Sequence, residues 1–230
     1  MRRSILLIIT IFFFSCNEQN KEGDFLLMKG DILFQDLDSS PLCDAIELVT
    51  PGYRNGNFSH IGIVIELGNP DSIGSNYNYA HNIRILEAIP NNVKTTRLDS
   101  FLNRSADNNK KPKVIVGRIK YKYQYSINDA INFLKSKIGA KYDNEFLLNN
   151  NSYYCSELIY EAFEKDSIFK LNKMTFLDPE SNDTIDVWKE YYKKLNIKIP
   201  EGELGINPGI MSLSSKIDII HYYGKPTGME

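Results

Sequence analysis

The 230 residues carry 42% hydrophobic content and a formal charge of -2, the profile of a globular chain with one domain once a leader is removed. Lysines and arginines are scattered among acidic residues without forming a basic stripe, which argues against a nucleic-acid partner. Three cysteines, Cys16, Cys43 and Cys155, are too few for a disulfide framework. No two of them stand at metal-ligand spacing, so neither a zinc site nor any other cofactor is expected.

The N-terminus has its own logic. Arg2 and Arg3 precede an apolar run from Ile5 to Phe14, followed by Ser15-Cys16 and a polar stretch from Asn17 to Glu22. A basic start, a short apolar core and a small residue before a cleavage point describe an export signal, too short to span a bilayer as a stable helix. Phe13-Phe14-Ser15-Cys16 resembles a bacterial lipoprotein signal, in which the cysteine becomes the lipidated first residue of the mature chain. The expected organisation is a signal over residues 1–16, a tether over 17–25 and a single domain over 26–230. The mature domain would then work in the cell envelope, outside the cytoplasm, held to a bacterial membrane by acyl chains on Cys16. Ordinary secretion or a retained anchor are the alternatives.

The domain opens with Gly30-Asp31 between apolar runs, a turn feeding a buried strand from Ile32 to Gln35. Asp38-Ser39-Ser40 is placed to cap a helix from Pro41 to Val49, on which Cys43 reads as a packing residue. After a turn-rich loop over residues 51–57, the β-branched run from Phe58 to Glu66 reads as a central strand. His60 stands at its mouth, where the sheet fixes the backbone while the ring is free to reach a cleft; the plainer reading is a half-exposed strand end. Gly62 leaves the sheet face beside it open to another element.

Residues 68–79 form a long polar hairpin connection, followed by a strand from Ile83 to Ile89. Glu87 is the anomaly in that strand, because its apolar neighbours imply burial and a buried carboxylate is costly unless paired. If the two strands are antiparallel neighbours, Glu87 faces the ring of His60; His81, in the hairpin approach, competes for the same place. An edge strand over residues 93–98, a short helix over 98–102, an exposed polar loop over 103–112 and a strand over 113–119 follow. A helix with a Ser126 cap and a Gly139 stop comes next.

Asn149 to Ser152 then turn the chain into Tyr154-Cys155-Ser156-Glu157-Leu158-Ile159, whose apolar positions recur at helical spacing through Phe163. Cys155 falls in the first turn, where unpaired N–H groups and the helix dipole favour thiolate over thiol. A small buried hydrophobe is the commoner fate of a free cysteine. Beyond Phe169 the signal weakens: a helix over 185–192 with Trp188 as a packing anchor, a short helix near residues 207–212, and a closing strand over 216–223 with His221 at the surface.

A strand histidine, a buried carboxylate on the neighbouring strand and a helix-start cysteine supply a base, its orienting group and a nucleophile. Gly30-Asp31-Ile32-Leu33-Phe34, Ser59-His60-Ile61-Gly62, Leu86-Glu87-Ala88, Ala140-Lys141-Tyr142-Asp143 and Tyr154-Cys155-Ser156-Glu157 together resemble the permuted papain-like amidase/peptidase family, the YiiX-like group. In ordinary NlpC/P60 cell-wall peptidases the cysteine helix comes first; here it follows the strands, as it also does in enzymes of the lecithin:retinol acyltransferase type. The resemblance implies an α+β, permuted papain-like fold with an antiparallel sheet packed against helices, the nucleophile helix among them. It implies Cys155 as nucleophile, His60 as general base and then acid, and Glu87 as the orienting residue. Tyr142, Asp143, Tyr154, Glu157 and Asp31 match positions of pocket or structural support. The expected activity is hydrolysis of an amide, peptide or N-acyl, in an envelope substrate by a monomer. Transfer of the acyl group to a lipid or amine, and a binding module without catalysis, are the alternatives. The long polar segments near residues 70–80 and 103–112 depart from the pattern and bear on substrate choice.

Overall fold

The computed structural model describes residues 25–67 and 82–230. Cys16, nearly all of the tether, the polar hairpin and His81 lie outside the described residues. Six strands form one antiparallel sheet in the order β4-β3-β2-β1-β5-β8. They are β1 (Ile32–Gln35), β2 (His60–Glu66), β3 (Arg84–Ile89), β4 (Asn92–Arg97), β5 (Val114–Ile119) and β8 (Ile217–Tyr222). The central strands are apolar runs buried on both faces, β-branched in β2 and β5. β1 is buried at all four positions and β2 at every position but Glu66, and each fully buried aliphatic side chain contributes about 1.5–3 kcal/mol. The strand expected from Phe58 begins two residues later, at His60. Ser59 is occupied instead in closing the turn, its backbone N–H donating to the Gln35 carbonyl and its Oγ accepting the Leu37 N–H.

Helices cover both faces. Ile32, Phe34, Ile61, Ile63 and Ile65 point to the side packed by α3 (Ile127–Ser136) and α4 (Cys155–Ala162), where Leu134, Leu158 and Ile159 close the main core. Leu33, Val64, Ile85, Val114 and Val116 point to the other side, against Phe101 of α2 (Leu98–Asn103). Gly62 permits that second layer: a Cβ there would lie 2.5 Å from Ile85 and 2.8 Å from the Phe101 ring. The open sheet face expected beside Gly62 is therefore filled by α2.

A third cluster lies beyond the sheet. Ala45 of α1 (Pro41–Val49) meets Phe176 and, from α5 (Asp186–Leu195), Trp188 and Tyr192. Trp188 is the packing anchor its sequence suggests. Near it run β6 (Asn172–Lys173) and β7 (Leu204–Gly205), a two-stranded ribbon without a sequence expectation, and α6 (Pro208–Ser212).

Three local expectations change. Ser40 stands at the N-cap of α1 without a side-chain cap bond; its hydroxyl and that of Ser39 lie 3.5 and 3.4 Å from the Cys43 sulfur. Ser126 does not cap α3 either, because a 3-10 turn over Tyr121–Ser126 runs straight into the helix and Ser126 Oγ donates to the Tyr123 carbonyl at 2.7 Å. His221 is half-buried rather than at the surface, its ring stacked on Phe25 at 4.0 Å. Among the described residues no helix is long and apolar enough to cross a membrane.

Candidate active site

The site assembles at one end of the sheet. β2 begins with His60 and pairs with β3 in the register Ile63 opposite Leu86, so continuing the antiparallel ladder puts Gly62 opposite Glu87. His60 and Glu87 therefore share a face, one diagonal step apart. His60 Nε2 meets Glu87 Oε2 at 2.7 Å, with His60 6% exposed and Glu87 fully buried. That bond leaves Nδ1 as the ring nitrogen available to another partner. α4 packs on β2 and β3 through Leu158 and Ile159, and its first residue, Cys155, 7% exposed, lies beside the His60 ring, near enough for its thiol to raise the ring's pKa.

Glu87 is held more firmly than the sequence suggested. Arg104 donates to Oε2 at 2.5 Å, the same oxygen that meets the imidazole, and Thr96 on β4 donates to Oε1 at 2.5 Å. Arg104 lies in the segment expected to be an exposed polar loop. Its placement comes from below: Gln35, the strand partner of His60 on β1, donates through Nε2 to the Phe101 carbonyl at 2.6 Å and to Ser105 Oγ at 3.0 Å. The guanidinium stands over the Phe101 ring at 5.0 Å, a cation–π contact. Arg104, Thr96 and Gln35 are the site residues that sequence reasoning missed. The one available signal was the demand of a buried carboxylate for a cation, which names no residue.

These contacts fix the charges. Burial pulls the His60 imidazolium toward neutrality, but the hydrogen bonds and charges of Cys155 and Glu87 outweigh it and raise its pKa from 6.5 to about 9. Burial also opposes the Glu87 carboxylate, and the bonds and charges of His60 and Arg104 outweigh it in turn, lowering the pKa from 4.5 to about 2. His60 is thus a cation and Glu87 an anion at neutral pH.

The sign for stability follows from those directions. A raised histidine pKa stabilises the fold fully below about 6.5, and that contribution is lost as pH climbs through about 9. A lowered carboxylate pKa contributes above about 4.5 and is lost as pH falls toward about 2. Denaturant unfolding followed across pH is expected to show a plateau between these arms. In Cys155→Ala the alkaline arm should begin at lower pH, since His60 loses one of the partners holding its pKa up. An alkaline arm identical in the two proteins would show that the thiol and the ring do not interact.

The start of α4 is built to hold Cys155 still. Glu157 reaches back so that its Oε2 accepts the Tyr154 N–H at 3.2 Å, the carboxylate half of a capping box. Burial, partly offset by that bond and reinforced by the Asp143 and Glu161 charges, pushes the Glu157 pKa up to about 8. Ser156 Oγ donates to the Ile206 carbonyl at 2.9 Å, and the Ile206 N–H donates to Tyr154 Oη at 3.3 Å. Asp143 takes the Glu145 and Leu147 N–H groups at 2.7 and 2.8 Å, shaping the loop that places Phe146.

Cys155 and His60 open onto a cleft of about 240 Å³ lined also by Tyr142, Phe146 and Tyr154. Cys43 is half-buried and lines this cleft, which replaces its expected role in helix packing. Of the eight expected site residues, the structure brings Cys155, His60 and Glu87 into one row and sets Tyr142 and Tyr154 beside it. Asp143 and Glu157 support from behind. Asp31 stands at the far end of β1, bound by Arg118 at 2.7 Å through each of its two oxygens.

Comparison with known proteins bears on the family and the fold. A family model described as "Permuted papain-like amidase enzyme, YaeF/YiiX, C92 family" matches residues 26–218. No curated protein matches the chain. Among solved structures, the crystal structure of metalloprotein yiiX from Escherichia coli O157:H7 is similar at a TM-score of 0.64 and 21% identity, covering 86% of this chain and 98% of that one. In this chain, no group of three or more His, Cys, Asp or Glu that could hold a metal ion occurs among the described residues. The residues described therefore do not fit a metal site.

Proposed function

The chain belongs to the permuted papain-like amidase family, papain-type cysteine hydrolases with an α+β fold, and from that premise we propose that it cleaves amide bonds through Cys155, His60 and Glu87. The observation that carries this reading is the continuous row from the Cys155 thiol through the His60 ring to Glu87, with the imidazole nitrogen facing the carboxylate fixed at 2.7 Å.

The steps follow from the geometry. Cys155 Sγ attacks the amide carbonyl carbon; an S–C bond forms and the carbonyl electron pair moves to oxygen. The unpaired N–H groups of the first turn of α4 receive that oxyanion. As the tetrahedral intermediate collapses the C–N bond breaks, and the proton held on His60 Nδ1 passes to the leaving nitrogen. Water then attacks the thioester, giving a proton to His60, and the acid departs from Cys155. Glu87 keeps Nε2–H engaged throughout, so Nδ1 is the nitrogen that exchanges protons. Arg104 and Thr96 hold the carboxylate in place.

We assign the substrate to the cell envelope, on the strength of the lipoprotein-type leader ending at Cys16, with the membrane reached through a lipid on that residue. A monomer suffices, because all three residues of the row come from one chain. A mature mass without acyl chains on Cys16 would remove the anchor from this account.

A thiol-reactive acyl probe tests the chemistry. Wild type is expected to be labelled at Cys155, Cys155→Ala not at all, and His60→Ala more slowly by on the order of 10² to 10⁴. Equal labelling of wild type and His60→Ala would sink the cysteine–histidine assignment.

A further inference from the structure

The end of the sheet away from the catalytic row has a surface of its own. β1 sets Gln35 opposite His60 at one end, and Ile32 opposite Ile63 and Gly117 at the other. β5 runs on past Gly117 to Ile119, and Lys120 leads into the 3-10 turn Tyr121–Ser126, where tyrosines alternate with polar residues. Tyr121 is 89% exposed and Tyr125 69%, the two most exposed large hydrophobic side chains among the described residues. The chain enters the fold at the same place. The Leu26 carbonyl accepts from Arg118 of β5 at 3.1 Å, and Leu26 and Met28 both turn their side chains to solvent.

Lysines frame these side chains. Gly30 packs on Ile127, the residue after the turn, which brings the exposed Lys29 beside it. The ammonium groups of Lys122 and Lys216 each stand 4.7 Å from the centre of the Tyr123 ring. Lys29, Lys120, Lys122 and Lys216 outnumber Asp218, paired with Lys120 at 3.4 Å, and Asp166, beside Tyr125. The patch is thus cationic although the whole chain carries a formal charge of -2. Rings with a polar tip suit the boundary between lipid headgroups and acyl chains. Lysine stems lie along such a boundary while their ammonium groups meet anionic headgroups.

We propose that this end of the domain, the Tyr121–Ser126 turn together with Met28, Lys29 and Lys216, docks on a bilayer containing anionic lipids. The anchor proposed at Cys16 acts in the same direction, because residues 17–25 reach at most about 30 Å when extended and join the domain beside the patch. Docked in this way, the domain holds His60 and Cys155 at the far end of its strands, clear of the headgroups, and takes substrate from the aqueous side.

Tryptophan emission tests the docking on the full chain. Trp188 is the one tryptophan of the sequence and is buried in the third cluster, so it gives a constant background. Chains carrying Tyr121→Trp or Tyr125→Trp are reconstituted into vesicles of phosphatidylglycerol and phosphatidylcholine with bromine on the upper acyl carbons. The added tryptophan is expected to shift to shorter wavelength and to be quenched by the bromine, while Trp188 in the unsubstituted chain is not. Adding Lys122→Ala should lower the ratio of docked to free domain, read from that quenching, by about fivefold, the equivalent of about 1 kcal/mol for one lysine at an anionic surface. An added tryptophan that stays unshifted and unquenched on anionic vesicles overturns the proposal, whether or not the chain itself floats with them. If dextran sulfate in solution gave the same shift, the patch would be a polyanion site and the membrane assignment would fall.

Discussion

Cys155→Ala is expected to lose amide turnover by on the order of 10⁴-fold or more while remaining folded. The loss is large because no other described nucleophile reaches the same place: Cys43 lines the cleft, but its sulfur neighbours are the hydroxyls of Ser39 and Ser40. The fold is expected to survive because the substitution removes a single heavy atom at a position already 7% exposed. Deleting one such group costs about 1 kcal/mol, a fall in Tm of about 2–4 °C for a chain of this size. His60 stays paired with Glu87, so no buried charge is left alone. Steady-state hydrolysis of an N-acyl amide alongside thermal unfolding checks both parts. Turnover at a tenth of the wild-type rate would place the nucleophile elsewhere.

Glu87→Gln carries the second large effect. An amide in place of the carboxylate keeps the size and one acceptor, but it removes the charge that holds His60 protonated and adds an NH₂ that faces either the ring or Arg104. On the general behaviour of such orienting carboxylates, kcat should fall by on the order of 10² to 10⁴. A purely structural role would lower Tm without moving the ring's titration. An orienting role predicts that the His60 pKa, followed by NMR, drops from its raised value of about 9 because Glu87, one of the two groups that hold it up beside Cys155, has lost its charge. The alkaline edge of the activity profile should move the same way. Full activity in Glu87→Gln together with an inactive His81→Ala would transfer the orienting role to His81.

Much of this architecture can be read from residues alone, and the reasons are local. The β-branched runs of β2 and β5 and the apolar run that opens β1 have one stable destination, a sheet buried on both faces. The cysteine helix announces itself by turn residues followed by apolar positions at helical spacing. His60 and Glu87 are legible because each is a polar residue inside such a run, which strand pairing brings together. What escapes is whatever depends on contacts distant in sequence without a periodic signature. Arg104 sits among Asn103, Ser105 and Asp107, where nothing in the spacing marks it. It becomes informative once Gln35, on β1, has fixed the end of α2. The ribbon of β6 and β7 escapes because two-residue strands have no alternation to read. The caps at Ser40 and Ser126 fail for different reasons: Ser40 has the extended backbone a cap needs but turns its hydroxyl elsewhere, whereas Ser126 enters its helix already in helical conformation. The hydroxyl of Ser126 is instead drawn back to a carbonyl one turn earlier, and that of Ser40 lies beside the Cys43 sulfur.

The two hydrogen bonds joining Ile206 to Ser156 and Tyr154 make the ceiling of the cleft and the seat of the sulfur a single mechanical part. A group that presses on Ile206 pushes, through a carbonyl and an amide, on the turn whose N–H groups meet the developing oxyanion in the proposed mechanism. Fit in the cleft is thereby converted into alignment at the reacting atom, and a molecule too small to touch the ceiling leaves that alignment to chance. Discrimination among substrates then falls on the rate of bond breaking as well as on the strength of capture, so a poor substrate can bind and still be turned over slowly.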